Sequence, residues 1–301
     1  MWLEWRATFL FLSICFLMKK PKIFFVRCSE TTPLDGAAVR LLRTGQMFET
    51  YSEQHECVWL VSTFNHYEKQ QRFPDTVEKT AGKGEIVYLR TPGYDRNLSV
   101  RRLFDHFLFG VRAAAQLRRR MEAGDICIIG MPTITAAFLA VRVCRAKGAA
   151  AVVEVRDQWP DVFWYGASGW KRTLVKLACL PLDWMVRQAL QGALLVTAPS
   201  RDYREWAQRR FSVAPAKTMV SPLGYRPSPA GAARPEAASF VQALQERAGS
   251  RRIACFFGTV GRMFDLETVV AFARQGQVDL SPDQRLYFVM LGGGGLSAAL
   301  A

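Results

Sequence analysis

Metal-ligand spacing, disulfide frameworks and long apolar runs are all missing from this sequence. Its three histidines, His55, His66 and His106, share no spacing that would gather them round an ion. The seven cysteines (Cys15, Cys28, Cys57, Cys127, Cys144, Cys179 and Cys255) are scattered and odd in number, with no C-x-x-C pair. That pattern argues against a zinc site and against a disulfide scaffold, and a reducing cytosol is the expected compartment. No metal and no cofactor is expected. The uncharged apolar run Ala7–Met18 is followed by Lys19, Lys20 and Lys22. It is too short to span a bilayer, which takes about 20 helical residues, and its stronger charge lies on the wrong side for a secretory signal. Residues 1–18 are therefore expected to be an extension, with Met18 opening the folded protein, rather than an anchor.

Acidic side chains are also scarce: 26 Asp and Glu face 40 Lys and Arg, for a formal net charge of +14. Such a balance suits anionic partners, namely nucleic acid, an acidic membrane face or phosphate-bearing substrates. Half of the residues are hydrophobic, enough for a sizeable core, and 301 residues suggest about two domains.

What is present is an alternation of strands and helices. Strands are expected at Lys22–Val26, Cys57–Ser62, Glu85–Leu89, Asp125–Gly130, Ala151–Val155 and Ala193–Ala198. Helices are expected from about Ala37, over Arg101–Arg120, Thr133–Lys147 and Lys171–Gln191, and over Arg201–Phe211 with Ser200 as N-cap. This order predicts an α/β fold with a parallel, doubly wound sheet. Arg226–Pro235 is rich in Pro, Ala and Gly and reads as a linker. Beyond it come a helix at Glu236–Arg247, a strand at Ile253–Phe257, a helix at Leu266–Arg274 and a strand at Leu286–Leu291. Two Rossmann-like domains follow, over 19–222 and 223–301. The second is expected to be incomplete, since sheets usually have about four to six strands.

Three junctions carry chemistry. Ala151–Val155 runs straight into Arg156, Asp157 and Trp159, just past a strand's carboxyl end, where open α/β sheets bind ligands. In the loop Thr32–Ala38, with Asp35 and Gly36, a glycine lets the backbone approach a ligand closely; an ordinary turn before a helix would look the same. Gly258-Thr-Val-Gly-Arg262 lies between a strand and a helix and could cradle a diphosphate, although its spacing matches neither the dinucleotide fingerprint nor the P-loop. His66 follows a strand end and could line a cleft. The segment Asn97–Arg120 interleaves Phe and Leu with Arg. It reads either as a surface helix whose apolar stripe faces the core or as a helix lying on an anionic membrane. No nucleic-acid motif accompanies these arginines, so no nucleic-acid partner is expected.

Taken together, S-T-F-N-H-Y (Ser62–Tyr67), T-P-G-Y (Thr91–Tyr94), M-P-T (Met131–Thr133), V-R-D-Q-W-P-D (Val155–Asp161), P-L-G-Y (Pro222–Tyr225) and F-F-G-T-V-G-R-M-F-D-L (Phe256–Leu266) resemble glycosyltransferase family 4, of the bacterial surface-polysaccharide type. The resemblance covers most of residues 20–291. It implies the GT-B architecture and retaining transfer of a sugar from a nucleotide-sugar donor to a lipid-linked or polysaccharide acceptor, without a metal. Asp157 would take the acceptor proton or orient the sugar, and Arg156 would steady it or a phosphate. Asp35, Gly36, His66 and Trp159 would line the acceptor side. Gly258, Thr259, Gly261 and Arg262 would face the donor diphosphate. The chain would work at the cytoplasmic, inner face of the membrane.

This sequence departs from the family where Thr259 and Phe264 stand in place of an Arg and Lys pair. The family's paired glutamates would fall beyond Ala301, so residues 1–301 are expected to transfer little or no sugar. The alternatives left open are a non-catalytic interaction protein of the same fold and a sugar-nucleotide epimerase.

Overall fold

The computed structural model describes residues 20–35, 43–97, 99–224, 235–258, 264–275, 280–281 and 284–292. The chain divides into two compact units, residues 1–224 and 225–301.

The first unit is built on strands β1 (Ile23–Val26), β2 (Cys57–Ser62), β3 (Phe64–Asn65), β4 (Gln70–Gln71), β5 (Val77–Ala81), β6 (Gly84–Leu89), β7 (Ile126–Gly130), β8 (Ala150–Glu154), β9 (Leu195–Ala198) and β10 (Thr218–Val220). Eight of them form one sheet in the order β10-β9-β8-β7-β1-β2-β6-β5. All its neighbours pair in parallel except β5, which runs antiparallel to β6. The β5–β6 hairpin turns through Gly82 at φ 59°, with Ala81 opposite Gly84; a left-handed residue there suits glycine. Strand β5 of this hairpin, the small β3–β4 pair and β10 are additions to the expected strands, whereas β6 matches the expected Glu85–Leu89.

Helices α1 (Arg43–Ser52), α2 (Val100–Arg120), α3 (Ile134–Lys147), α4 (Gly169–Ala178), α5 (Leu180–Gly192) and α6 (Arg201–Phe211) complete the unit. The expected helix Lys171–Gln191 is in fact two, meeting at Cys179, with Pro181 in the first turn of the second. A proline is tolerated in a first turn because its missing N–H has no partner there anyway. Ser200 Oγ does accept from Tyr203 N, at 3.5 Å, as expected of the cap of α6.

Side chains alternate across the sheet. Phe24 and Val26 join one core with Phe109 and Leu117 of α2, Ala137 and Val141 of α3, Val186 and Leu190 of α5 and Phe211 of α6. Ile23 and Phe25 join a second core with Trp59 and Phe48 of α1. Burying each large apolar side chain contributes about 1.5–3 kcal/mol. Helices α2 and α3 cross at Gly110, where a Cβ would lie 2.8 Å from the Ala136 backbone nitrogen. The apolar stripe of α2 does pack inward through Phe109, Ala113 and Leu117, but Phe104, Phe107 and Val111 remain exposed.

The second unit pairs β11 (Ile253–Phe257) with β12 (Tyr287–Leu291) in parallel, alongside α7 (Pro235–Ala248) and α8 (Leu266–Arg274). Asp265 caps α8 by accepting from Thr268 N at 3.2 Å. Where the strands end, a Cβ on Gly292 would fall 1.8 Å from the Gly258 carbonyl oxygen, so only glycine fits. Among the described residues no helix is long and apolar enough to cross a membrane.

Candidate functional site

From β1 the first unit builds outward to β2 and β6, then returns to place β7, β8, β9 and β10 on β1's other side. The direction reverses between β1 and β7. The carboxyl ends of strands diverge there, and a crevice opens. The crevice has a volume of about 280 Å³. Arg27 to Glu30, following β1, and Met131 to Thr133, following β7, form its two walls. Arg156 and Asp157, following β8, complete it together with His66, Tyr67 and Arg102.

Charges interleave across the floor. Arg27, only 2% exposed, reaches Glu154 at 2.6 Å, and Arg156 forms an ion pair with Glu30. The Arg27 contact is one of charge: none of its three guanidinium nitrogens makes an aligned hydrogen bond. Gly130 makes this possible, since a Cβ there would sit 2.2 Å from Arg27 Nη1. Burial first, and then the neighbouring Arg27 charge, lower the pKa of Arg156 to about 10, so it stays cationic at neutral pH. The surrounding protein raises the carboxyl pKa of Asp157, while Arg102 and Arg156 pull it back. Asp157 is solvent-exposed at the rim. It is close enough to Tyr67 and Tyr203 to help burial raise the pKa of both phenols.

Arg102 is held by π faces on two sides, 5.3 Å from the centroid of Tyr94 and 4.8 Å from that of Trp159. Trp159 itself packs on Phe163 and His106. His66 Nδ1 lies 2.7 Å from Tyr94 Oη and 3.4 Å from Lys69 Nζ. An ammonium can only donate, so Nδ1 accepts and the ring proton sits on Nε2. Burial, then Lys69 and Arg102, lower its pKa to about 4, leaving a neutral imidazole with one N–H to offer. Cys28 lines the crevice, but complete burial drives its thiol pKa far up, which removes it as a nucleophile. Among the described residues no three His, Cys, Asp or Glu side chains converge as a metal site.

The structure brings Arg156, Asp157 and His66 together in this crevice. Trp159 stands behind it, buried, as the platform for Arg102. Asp35 does not line it. Its carboxylate takes Arg72 Nε at 2.6 Å and Nη2 at 3.0 Å and the Thr32 amide at 2.5 Å, bracing the loop after β1. Gly258 directly follows β11 in the second unit, while Gly36, Thr259, Gly261 and Arg262 lie outside the described residues. Arg27, Glu30, Arg102 and Glu154 were not anticipated. The available signal was a charge directly ending or following an apolar strand, in I-F-F-V-R and A-A-V-V-E.

The fold recurs in solved structures. With α,α-trehalose 6-phosphate synthase from Burkholderia multivorans the TM-score is 0.57 at 14% identity, covering 93% of this chain and 65% of that one. With the catalytic domain of starch synthase IV from Arabidopsis thaliana, bound to ADP and acarbose, it is 0.57 at 12% identity, covering 93% and 70%. This chain thus spans about two thirds of each. At such identities the likeness is one of fold, the GT-B architecture of two Rossmann-like domains. No curated protein sequence matches. The family model described as a glycosyl transferase 4-like domain matches residues 36–224, well over half of the chain and most of the unit that carries the crevice, and the chain belongs to that family.

Proposed function

We propose that this chain serves retaining transfer of a hexosyl group from a nucleotide sugar to a lipid-linked or polysaccharide acceptor, with the crevice between β1 and β7 receiving the acceptor. The observation that carries this reading is Asp157: a carboxylate of raised pKa at the rim of the switch-point crevice, with cationic Arg156 beside it. A carboxylate so tuned is a better proton acceptor than an ordinary one. The donor's bond from C1 to the diphosphate oxygen breaks and a bond from C1 to the acceptor oxygen forms on the same face. The hydroxyl proton passes to Asp157. The Nε2–H of neutral His66 is a donor suited to a sugar oxygen. Arg156 offers its charge to an acceptor phosphate.

Starch synthase IV binds ADP, and the fold shared with it supports a nucleotide-activated donor here. Gly258, Thr259, Gly261 and Arg262 are the proposed contacts to its diphosphate. Gly36 would let the loop after β1 approach the acceptor. The net charge of +14 supports work at the anionic inner face of a membrane, peripherally and from the cytoplasm.

The test is to incubate the full chain at high concentration and for long times, so that even the slow turnover expected of residues 1–301 registers, with labelled UDP-, GDP- and ADP-sugars, with and without a lipid-diphosphate monosaccharide, and to determine the product's anomeric configuration. Acceptor-dependent product of retained configuration supports the reading. Inversion overturns it, as does nucleotide release that ignores the acceptor, the behaviour of an epimerase.

A further inference from the structure

Helix α4 buries none of its residues. Trp170 is 70% exposed, Leu174 53% and Leu177 55%, and the line continues onto α5 through Leu180 at 56% and Trp184 at 52%. The steps of four and three residues put the first three on one side of the helix. Five large apolar side chains more than half exposed in one short segment exceed the scattered exposure that any surface shows, although the Trp184 ring also packs on Phe138. Lys171, Arg172 and Lys176 flank the stripe and are exposed. Between Tyr165 and Gln188 the only acid is Asp183, and it is engaged by Arg210 at 2.5 Å. A recess of about 480 Å³ beside the stripe is lined by Arg172, Lys176, Leu177, Leu180 and Arg210, with Asp161 and Asp183 paired to Arg210 in it.

We infer that α4 and the first turns of α5 seat the protein on an anionic phospholipid bilayer. Trp170, Leu174, Leu177, Leu180 and Trp184 enter the boundary between headgroups and acyl chains, and Lys171, Arg172 and Lys176 meet lipid phosphates. Charge complementarity selects this occupant. A protein-binding face is depleted in lysine at its centre, whereas leucines bracketed by tryptophans and ringed by cations match a lipid interface. The other exposed stripe, on α2, is a weaker candidate because most of its arginines are engaged. Arg101 pairs with Asp95, Arg102 donates to Asn97 O, Arg112 donates to Arg90 O, and Arg120 binds Glu85 and Glu78.

The inference rests on the membrane-peripheral part of the proposed function and not on the sugar chemistry. The full chain is floated with vesicles of phosphatidylcholine, with and without phosphatidylglycerol. The parent should float with the anionic vesicles and be released by salt. Both Trp170→Ser/Leu174→Ser/Leu177→Ser and Lys171→Glu/Arg172→Glu/Lys176→Glu should partition at least about tenfold more weakly. A parent that ignores anionic vesicles overturns both this face and the peripheral reading. Variants that float like the parent overturn the face alone, as does a lipid-free dimer that the same substitutions dissociate. Bromine-labelled acyl chains should quench parent tryptophan emission, and less so in Trp170→Phe. Equal quenching in the two would contradict the assignment without any question of folding.

Discussion

Arg27 and Glu154 meet at 2.6 Å, one following β1 and the other ending β8, two strands that are not neighbours. Strand β7 runs between them, and its last residue, Gly130, has no side chain to block the contact. The pair ties the two sides of the crevice floor beneath Asp157 and Arg156. Breaking a buried pair by removing one partner typically costs about 3–5 kcal/mol, because the other charge is stranded. Glu154→Leu should therefore lower stability by about 3 kcal/mol, read as a fall in the urea midpoint with the slope unchanged. A loss below about 1 kcal/mol would show the contact to be incidental.

Gly110 makes a second, purely steric prediction. The atoms that a side chain there would strike belong to the Ala136 and Thr135 backbone, which has no rotamer to yield. Gly110→Ala should gain about 1 kcal/mol in helix propensity and still destabilise, since overpacking costs about 1–3 kcal/mol. Gly110→Val should lose more. Thermal melts of both variants check the order.

His106 is buried at 3% exposure with its pKa lowered to about 3, by burial and then by Arg102. Its Nε2 accepts from Arg102 Nε at 3.4 Å. The folded pKa lies below the unfolded value of about 6.5, so the unfolded chain binds more protons once pH falls under 6.5. Stability should be full above that pH and fall as pH drops toward 3, with a slope approaching 1.4 kcal/mol per unit from this residue. Urea titrations between pH 7.5 and 5 should show that slope on top of the share from His66, whose pKa is also lowered, to about 4, and His106→Phe should remove its own share and leave the other. Equal slopes would refute the assignment of a neutral, buried imidazole.

Thiol reactivity separates the cysteines. Cys28, Cys57, Cys127, Cys144 and Cys179 are buried, while Cys255 is exposed. Burial raises the thiol pKa of Cys57 to about 12. Of these six, only Cys255 should label quickly with a thiol reagent in the native chain, as peptide mapping would show. Rapid labelling of Cys28 would mean that the crevice opens far more than its packing allows.

The strand–helix alternation was legible because apolar runs such as C-V-W-L-V-S and I-A-C-F-F leave little choice but a strand, and both were placed residue for residue, although only the first is buried. The β5 strand was not. V-E-K-T-A alternates weakly, its middle residues are exposed, and only the turn glycines hinted at a hairpin. The break at Cys179 was hidden because the helical period continues across it. In the site, Arg156 and Asp157 were readable from their place after a strand. Asp35 shared that place, but its carboxylate closes on Arg72, thirty-seven residues away, a pairing that local sequence cannot reveal. Arg27 and Glu154 were passed over for the same reason: two charges at strand ends are recognised as partners only once the strand order is known.

Binding of the acceptor is the most direct measurement of the central claim. A water-soluble, short-chain prenyl-diphosphate monosaccharide would be titrated calorimetrically into the full chain and into Arg156→Gln, each checked for an unchanged melting temperature. The account predicts that the parent binds and that Arg156→Gln binds about tenfold more weakly or worse, the loss of about 1.4 kcal/mol or more expected when a charged hydrogen bond to phosphate is removed. Equal affinity in the two proteins, or no binding by the parent, would contradict it.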